Sequence, residues 1–297
     1  MTKSKPIFDS EKLKDEMQVF DKKFQSVYYN MIAVALDYKS YIDPKIKDST
    51  IFSIRDNIIF RLNGSKYHFQ LLMSIIGNLD REMTQAYRKH STDNTVFDPA
   101  GTIFDERFLQ VSFLSDSIFF HLGSCFDYLS SLIEFIYSQN RDTERKWMQI
   151  ARASRDKNNP FSKTSIATIV DKLDREFIGK LYDHRSYLIH TRADKKKGGY
   201  TLNVIQAQFK TKIFSSDKFN GNFKHLKNLA KEYDITLKYA MLWVLKESMS
   251  SINSILFALK EYLEKNKRIK ILPMFFEGPN KEMLPVSINY WNNLPVK

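Results

Sequence analysis

Helical spacing of apolar residues is the feature that most constrains the fold of this chain. Between residues 111 and 136, apolar side chains recur at alternating steps of three and four, which places them on one face of an α-helix. A similar stripe runs from 242 to 263. The chain has only 9 Gly and 8 Pro, too few for a turn-rich, strand-based fold. We therefore predict an all-α fold, a bundle of long helices.

The other elements are predicted between local breaks in the helical pattern. The interruption at Asn63-Gly64 falls inside the second helix, and a turn-rich stretch of 90–101 follows it. Residues 200–214 are rich in β-branched and aromatic residues and predict a short β-hairpin insertion. Helices are predicted at 10–41, 49–89, 141–156, 162–178 running on or kinking into 179–192, and 223–266. The predicted domains are 1–100 (N-terminal helices), 101–270 (bundle) and 271–297 (an extended, Pro-containing tail).

Charge and cysteine content narrow the function classes. With 46 basic and 34 acidic residues the formal net charge is +12, which favours a polyanionic partner such as nucleic acid, or alternatively a Lys-rich solvated surface. Cys125 is the only cysteine, which excludes an internal disulfide. No stretch approaches the ~20 apolar residues of a membrane span, and the start is charged rather than signal-like. We expect a cytoplasmic protein with no membrane partner.

An arginine interrupts the apolar stripe predicted between residues 178 and 189. The stripe consists of Ile178, Leu181, Tyr182, Arg185, Leu188 and Ile189. A guanidinium on such a face is costly unless it is paired or meets a wet cleft. Arg185 therefore either pairs with a carboxylate, for which Asp127 and Asp116 are the candidates, or binds a phosphate at a groove.

His190 follows Arg185 near the predicted helix end, just before a basic loop. Imidazoles exchange protons near neutral pH, whereas guanidinium groups stabilise negative charge. An arginine and a histidine beside a lysine-rich loop are sufficient for metal-independent RNA cleavage, in which a 2′-hydroxyl attacks the adjacent phosphate. The loop predicts nucleic-acid binding through Arg192, Lys195, Lys196 and Lys197.

The string Arg185-Ser186-Tyr187-Leu188-Ile189-His190 resembles the motif of the HEPN superfamily, an arginine followed after four to six residues by a histidine. The residue after the arginine is typically polar in that family, as Ser186 is here. HEPN domains are helical bundles, usually dimeric, in which two motifs meet across the dimer. The resemblance covers about residues 105–265 and is nearest to the Cthe-type HEPN proteins, which carry extra N-terminal helices.

This resemblance implies a HEPN-like bundle and a metal-independent endoribonuclease that works as a homodimer, like the members that act as toxins or in phage defence. It implies that Arg185 and His190 are catalytic, with Ser186, Asp127 and His184 in support. RNA is the implied substrate, and an antitoxin or defence-system protein is the implied partner. The alternative is a non-catalytic HEPN-like module that binds nucleic acid or a protein and uses Arg185 structurally.

Other histidines are given lesser roles. A second match to the motif spacing, from Arg61 to His68, is set aside because Asn63-Gly64 would break the helix that the motif needs. His121 is interpreted as a packed core residue that finds a hydrogen-bond partner. The histidines are too scattered for an HExxH-type metal site, so neither a metal nor another cofactor is predicted.

Overall fold

The computed structural model describes residues 6–7, 10–43, 45, 48–90, 98–138, 146–191, 196–268, 274–277, 283–286 and 291. The chain is mostly helical, as predicted. The helices are α1 (Ser10–Tyr41), α2 (Asp48–His90), α3 (Pro99–Ser138), α4 (Trp147–Arg155), α5 (Ser165–Leu173), α6 (Gly179–His190), α7 (Asp217–Asn222), α8 (Lys224–Leu229) and α9 (Leu237–Lys265). The strands are β1 (Pro6–Ile7), β2 (Lys197–Asn203), β3 (Gln208–Phe214), β4 (Asp234–Ile235), β5 (Met274–Glu277) and β6 (Met283–Val286).

The chain divides into two compact units that interleave along the sequence. The first unit comprises Met1–Phe20, Arg61–Ser124 and Glu176–Glu247, and the second comprises Asp21–Phe60, Cys125–Arg175 and Ser248–Lys297. Helices α1, α2, α3 and α9 therefore each contribute residues to both units. The predicted domain boundaries at 100 and 270 stay a prediction.

The apolar stripes predicted for the two longest periodic segments form helix faces in the structure. Along α3 the stripe is buried from Val111 to Ile136, except for Leu114, which is half-buried. The stripe of α9 is buried throughout. Among the described helices, none has both the length and the apolarity needed to cross a bilayer.

Helix α2 is continuous through Asn63 and Gly64, so the predicted interruption there is wrong. A glycine inside a long helix costs only about 1 kcal/mol relative to alanine, and tertiary packing readily offsets that. At Gly64 the missing side chain makes room for the ring of His121: a Cβ atom there would lie 2.7 Å from the His121 Cε1 atom. The reason for setting aside the match from Arg61 to His68 therefore does not hold.

The turn-rich stretch was predicted to extend to Gly101. This end of the prediction is wrong, because α3 begins at Pro99. Proline is favoured at the first helical position, where its missing N–H costs nothing. The Asp98 carboxylate accepts a hydrogen bond from the backbone N–H of Gly101 at 2.9 Å, which caps the helix. The Asp98-Pro99 pair therefore starts a helix rather than ending a turn.

The last long helix is shorter than predicted, because residues 223–236 form other structure. The side chain of Ser216 caps α7, and Phe223 is extended between α7 and α8. After α8, the two residues of β4 pair in parallel with β1 near the start of the chain. A pairing between residues so distant in sequence has no local signature. The prediction from helical spacing alone therefore placed the start of α9 too early.

The segment predicted to run on or kink after 162–178 does so through a π-helical turn. Helix α5 ends at Leu173, Asp174–Ile178 form the π-turn, and α6 follows at Gly179. In the second unit, Asp174 accepts a hydrogen bond from Trp147 Nε1 at 2.8 Å and pairs with Arg155. The predicted basic helix corresponds to α4, and residues 141–145 lie outside the described part of the chain.

The predicted hairpin is confirmed as β2 and β3, which pair antiparallel from Lys197–Phe214 to Asn203–Gln208. In the tail, β5 and β6 form an antiparallel pair that the prediction of an extended tail missed. The Trp291 indole donates a hydrogen bond to the Asp37 carboxylate at 2.8 Å within the second unit. This contact agrees with a tail that lies against other structure.

Candidate functional site

Helix α6 holds Arg185 against α3 at a glycine. A methyl group added to Gly123 would lie 2.8 Å from the Arg185 Cδ atom and 3.1 Å from its Nε and Nη1 atoms. The Tyr182 hydroxyl donates a hydrogen bond to the Gly123 carbonyl oxygen at 2.8 Å, and the Tyr182 ring centre is 5.8 Å from the guanidinium carbon of Arg185. The missing side chain at Gly123 therefore lets α6 approach α3, and it fixes the course of the Arg185 side chain.

His190 is the last residue of α6 and is exposed. Five positions along an α-helix correspond to about 7.5 Å of rise and about 140° of rotation, so Arg185 and His190 leave the helix on different sides. Ile189 was predicted to lie in the buried stripe, and this is wrong, because its side chain is 58% exposed. Ser186 is exposed as well. One copy of α6 therefore directs Arg185 toward α3 and His190 toward solvent.

His184 lies in an aromatic core. Its ring centre is 4.6 Å from that of Phe119 and 4.9 Å from that of Phe219. The side-chain amide of Asn222 approaches the His184 Nδ1 atom at 3.3 Å, and because an amide nitrogen can only donate, the ring is neutral with its proton on Nε2. Burial, together with the charges of Lys196 and Lys218, lowers the pKa of His184 to about 3. His184 therefore packs α6 in place and does not exchange protons at neutral pH; its supporting role at the site stays a prediction.

Each of the two carboxylates suggested as partners of Arg185 has a partner within its own unit. In the second unit, Asp127 accepts a hydrogen bond from the backbone N–H of Trp147, the first residue of α4, at 2.9 Å. A carboxylate at that position is favoured by the helix dipole. In the first unit, Asp116 pairs with the ammonium group of Lys196 at 3.2 Å.

The basic loop after α6 is only partly available to a ligand. Arg192 and Lys195 lie outside the described residues. The Lys196 side chain is 3% exposed and held by Asp116, so nucleic-acid binding by Lys196 requires that ion pair to open. Lys197 is exposed and donates a hydrogen bond to Asp217 at 2.6 Å. The predicted role of the four basic residues stays a prediction.

The hairpin presents two further lysines that sequence reasoning did not select. Phe209 and Ile213 of β3 are buried, and Asp80 of α2 accepts hydrogen bonds from both the backbone N–H and the hydroxyl of Thr211. Because side chains alternate along a strand, Lys210 and Lys212 face the other way and are exposed. The alternation of apolar and basic residues in 208–214 was the signal for this shared face.

Lys210 and Lys212 line a cleft of about 540 Å³ in the first unit. Lys197 and Gly199 of β2 lie on the same side of the hairpin, and Tyr233 and Asp217 also line the cleft. Within the described part of the chain, Lys210 and Lys212 have no acidic partner. We call this feature the basic cleft; its unpaired lysines suit a phosphate-bearing ligand.

An apolar stripe on the outer side of α3 is exposed. Leu109, Phe113 and Phe120 are spaced by four and seven residues, so they share a helix face, and their side chains are 53%, 61% and 37% exposed. Large exposed apolar side chains in a row are typical of contact surfaces between proteins. The stripe lies on the part of α3 that belongs to the same unit as Arg185 and His190.

No three His, Cys, Asp or Glu side chains among the described residues are grouped so that they would hold a metal ion. Comparisons with protein-family models, with curated proteins and with solved structures find no match to this chain. The functional argument therefore rests on the residues and contacts described above.

The buried histidine makes stability depend on pH in a defined direction. The unfolded chain binds a proton at His184 below pH about 6.5, whereas the folded chain does not until about pH 3, so acid favours unfolding in this window. We expect the free energy of unfolding to fall by up to about 1.4 kcal/mol per pH unit from this group. Urea unfolding at a series of pH values measures the slope.

The control is His184→Phe, which keeps an aromatic ring but cannot titrate. Burial also lowers the pKa of His121 and His225, and those residues are present in both proteins, so the difference in slope isolates His184. Loss of the Asn222 hydrogen bond lowers the free energy of unfolding of the variant by about 1 kcal/mol at every pH. This constant difference does not affect the comparison of the two slopes. Parallel pH profiles for the two proteins would contradict the assignment.

Proposed function

We propose that this chain is a metal-independent endoribonuclease that works as a homodimer, with Arg185 and His190 of both copies as catalytic residues. The observation that carries the proposal is the arrangement on α6, where Arg185 is held at Gly123 and an exposed histidine ends the helix. The proposal rests on the Arg/His motif together with this helical setting. A toxin or phage-defence role belongs to the same proposal.

The proposed reaction needs one proton acceptor, one proton donor and a cation. The ribose 2′-hydroxyl loses its proton to an imidazole and attacks the adjacent phosphorus, which forms the P–O2′ bond. The P–O5′ bond breaks, and the leaving 5′ oxygen takes a proton from a protonated imidazole or water. Arginine stabilises the charge that develops on the phosphate oxygens. The products are a 2′,3′-cyclic phosphate and a 5′-hydroxyl.

A homodimer is proposed because one copy of α6 does not bring its two functional groups together. Two copies related by a two-fold axis supply two histidines and two arginines, which matches the need for an acceptor and a donor. The exposed stripe of Leu109, Phe113 and Phe120, with Ile189 next to His190, is the surface we propose for dimerisation.

RNA binding is proposed to extend from the end of α6 onto the basic cleft. Lys197 begins β2 only seven positions after His190, so the cleft follows the motif helix directly in the chain. Lys210 and Lys212 supply unpaired positive charge, and the half-exposed Tyr233 offers a ring on which a base can stack.

The alternative is a non-catalytic helical module, with an RNA or protein ligand and a structural Arg185. The packing of Arg185 against Gly123 and Tyr182 and the Lys196–Asp116 pair favour it, because both use charged groups to pack parts of the first unit against α3. The two functions predict different results for RNA cleavage by a folded His190 variant.

The catalytic proposal predicts that His190→Ala lowers RNA cleavage by about 10²- to 10⁴-fold, as expected for loss of a proton-transfer group. Because His190 is exposed at a helix end, melting temperature should change little. Cleavage by the unmodified chain should persist in EDTA and leave 2′,3′-cyclic phosphate ends, which end-labelling and mass spectrometry detect. DNA, which lacks the 2′-hydroxyl, should resist.

Arg185→Lys provides the matched test of the cation, because it keeps the charge and loses the planar fork. Gly123→Ala should also lower cleavage by displacing the Arg185 side chain, although alanine favours the helix. Full activity in folded His190→Ala would exclude the catalytic assignment. RNA binding without cleavage by the unmodified chain would favour the module.

The dimer proposal predicts that Phe113→Glu shifts the chain from dimer to monomer, because a buried, unpaired carboxylate is costly at an apolar interface. Light scattering at micromolar concentration measures the mass. Ile205→Glu is the matched control, since Ile205 is 98% exposed at the hairpin tip and its replacement should leave the dimer intact. A monomeric unmodified chain would contradict the proposal.

The basic cleft predicts salt-sensitive RNA binding. Lys210→Glu together with Lys212→Glu should weaken binding and reduce the slope of log Kd against log salt by about 1.4–1.8, since each phosphate contact releases about 0.7–0.9 counterions. Lys224→Glu with Lys227→Glu changes the net charge equally at exposed positions of α8 and is the control. Equal effects of the two pairs would mean that only overall charge matters.

A further inference from the structure

Two histidines of the first unit face each other away from the motif helix. His68 on α2 and His121 on α3 have ring centres 5.0 Å apart, and both rings are half-buried. The interpretation of His121 as a core residue with a hydrogen-bond partner is wrong. The Nδ1 atoms of both rings are buried and have no hydrogen-bond partner within the described part of the chain. Buried ring nitrogens without a partner are costly, and a bound ligand is one way to supply the missing hydrogen bonds.

The helix positions place an arginine beside this pair. Arg61, Gly64 and His68 are separated by three and four residues, so all three lie on one face of α2. The ring of His121 occupies the gap at Gly64, where a Cβ atom would lie 2.7 Å from Cε1 and 2.8 Å from Nδ1. His121 therefore lies between Arg61, one turn before the glycine, and His68, one turn after it.

The charge at this place indicates the ligand. Burial, and after it the neighbouring His68 and the positive charge of Arg61, lower the pKa of the His121 ring. A nearby guanidinium disfavours a bound metal cation and favours an anion. A guanidinium and two imidazoles are donors that match the oxygens of a phosphate group. The exposed ring of Tyr67, with its centre 5.8 Å from that of His68, offers a surface for an attached base.

We propose that Arg61, His68 and His121 form a binding site for a phosphate group, separate from Arg185 and His190. Gly64 is the positioning residue, because it admits the His121 ring to the α2 surface. The phosphate belongs either to a free nucleotide or to an RNA strand, and both present the same oxygens. The proposal does not depend on ribonuclease activity, since it concerns binding at Arg61, His68 and His121, which lie outside the string from Arg185 to His190.

The experiment follows the Hε1–Cε1 signals of the histidines by NMR in the full chain. Inorganic phosphate, adenosine monophosphate and a short RNA are added in separate titrations. We expect the His68 and His121 signals to shift with phosphate and the pKa of His121 to rise, because a bound anion favours the protonated ring. The signal of His225 is the internal reference. Tighter binding of the nucleotide or of the RNA than of inorganic phosphate identifies the source.

Matched variants on one helix test the geometry. Gly64→Ala should displace His121 and weaken phosphate binding by about tenfold or more, equivalent to one good contact. Gly77→Ala, also on α2, has no atom within 4 Å of its added methyl group and should leave binding unchanged. Arg61→Gln should weaken binding similarly, and thermal melting confirms that each variant is folded.

Three outcomes would overturn the proposal. The first is no shift of the His68 and His121 signals with any of the phosphate ligands at millimolar concentration. The second is a response to Zn²⁺ alone, which would mean a metal site. The third is an equal loss of binding in Gly64→Ala and Gly77→Ala. Loss of RNA cleavage in His190→Ala with phosphate shifts retained would separate this site from the proposed catalytic one.

Discussion

The close approach of α6 and α3 at Gly123 is the contact on which the proposed catalytic site depends. Because Gly123 has no side chain, the Arg185 side chain lies against the α3 backbone. The Tyr182 hydroxyl donates a hydrogen bond to the carbonyl oxygen of Gly123. The buried ring of His184 packs on Phe119 one turn earlier along α3. These contacts set the rotation of α6, and the rotation leaves His190 exposed at the helix end.

The histidines of this chain differ in chemistry because their surroundings differ. His184 is enclosed by aromatic rings and accepts a hydrogen bond from Asn222, so it is neutral and structural. His68 and His121 are half-buried and face each other beside Arg61, with ring nitrogens that lack protein partners in the described part of the chain. A histidine next to the motif in sequence is therefore structural, whereas the histidines suited to bind a ligand lie far from the motif in sequence.

The positions of the lysines in the sequence also do not show which of them are exposed and which are paired. Lys196, within the run of lysines, is buried and neutralised by Asp116. Lys210 and Lys212, separated by a threonine whose hydroxyl binds Asp80, are exposed over the basic cleft. The formal charge of +12 therefore consists of local patches with different roles, and the Lys196 charge pairs with a carboxylate of α3.

The sequence by itself determined the helical class, the stripes of α3 and α9, the bounds of α1 and the hairpin, because these depend on residue spacing and local propensity. It also indicated that Arg185 lies on a helix face. Tertiary structure decided that α2 continues through Gly64, that β4 pairs with β1, and which partners Asp116 and Asp127 take. It alone brought His121 to His68, since that contact joins helices whose relative rotation is set by packing rather than by local sequence.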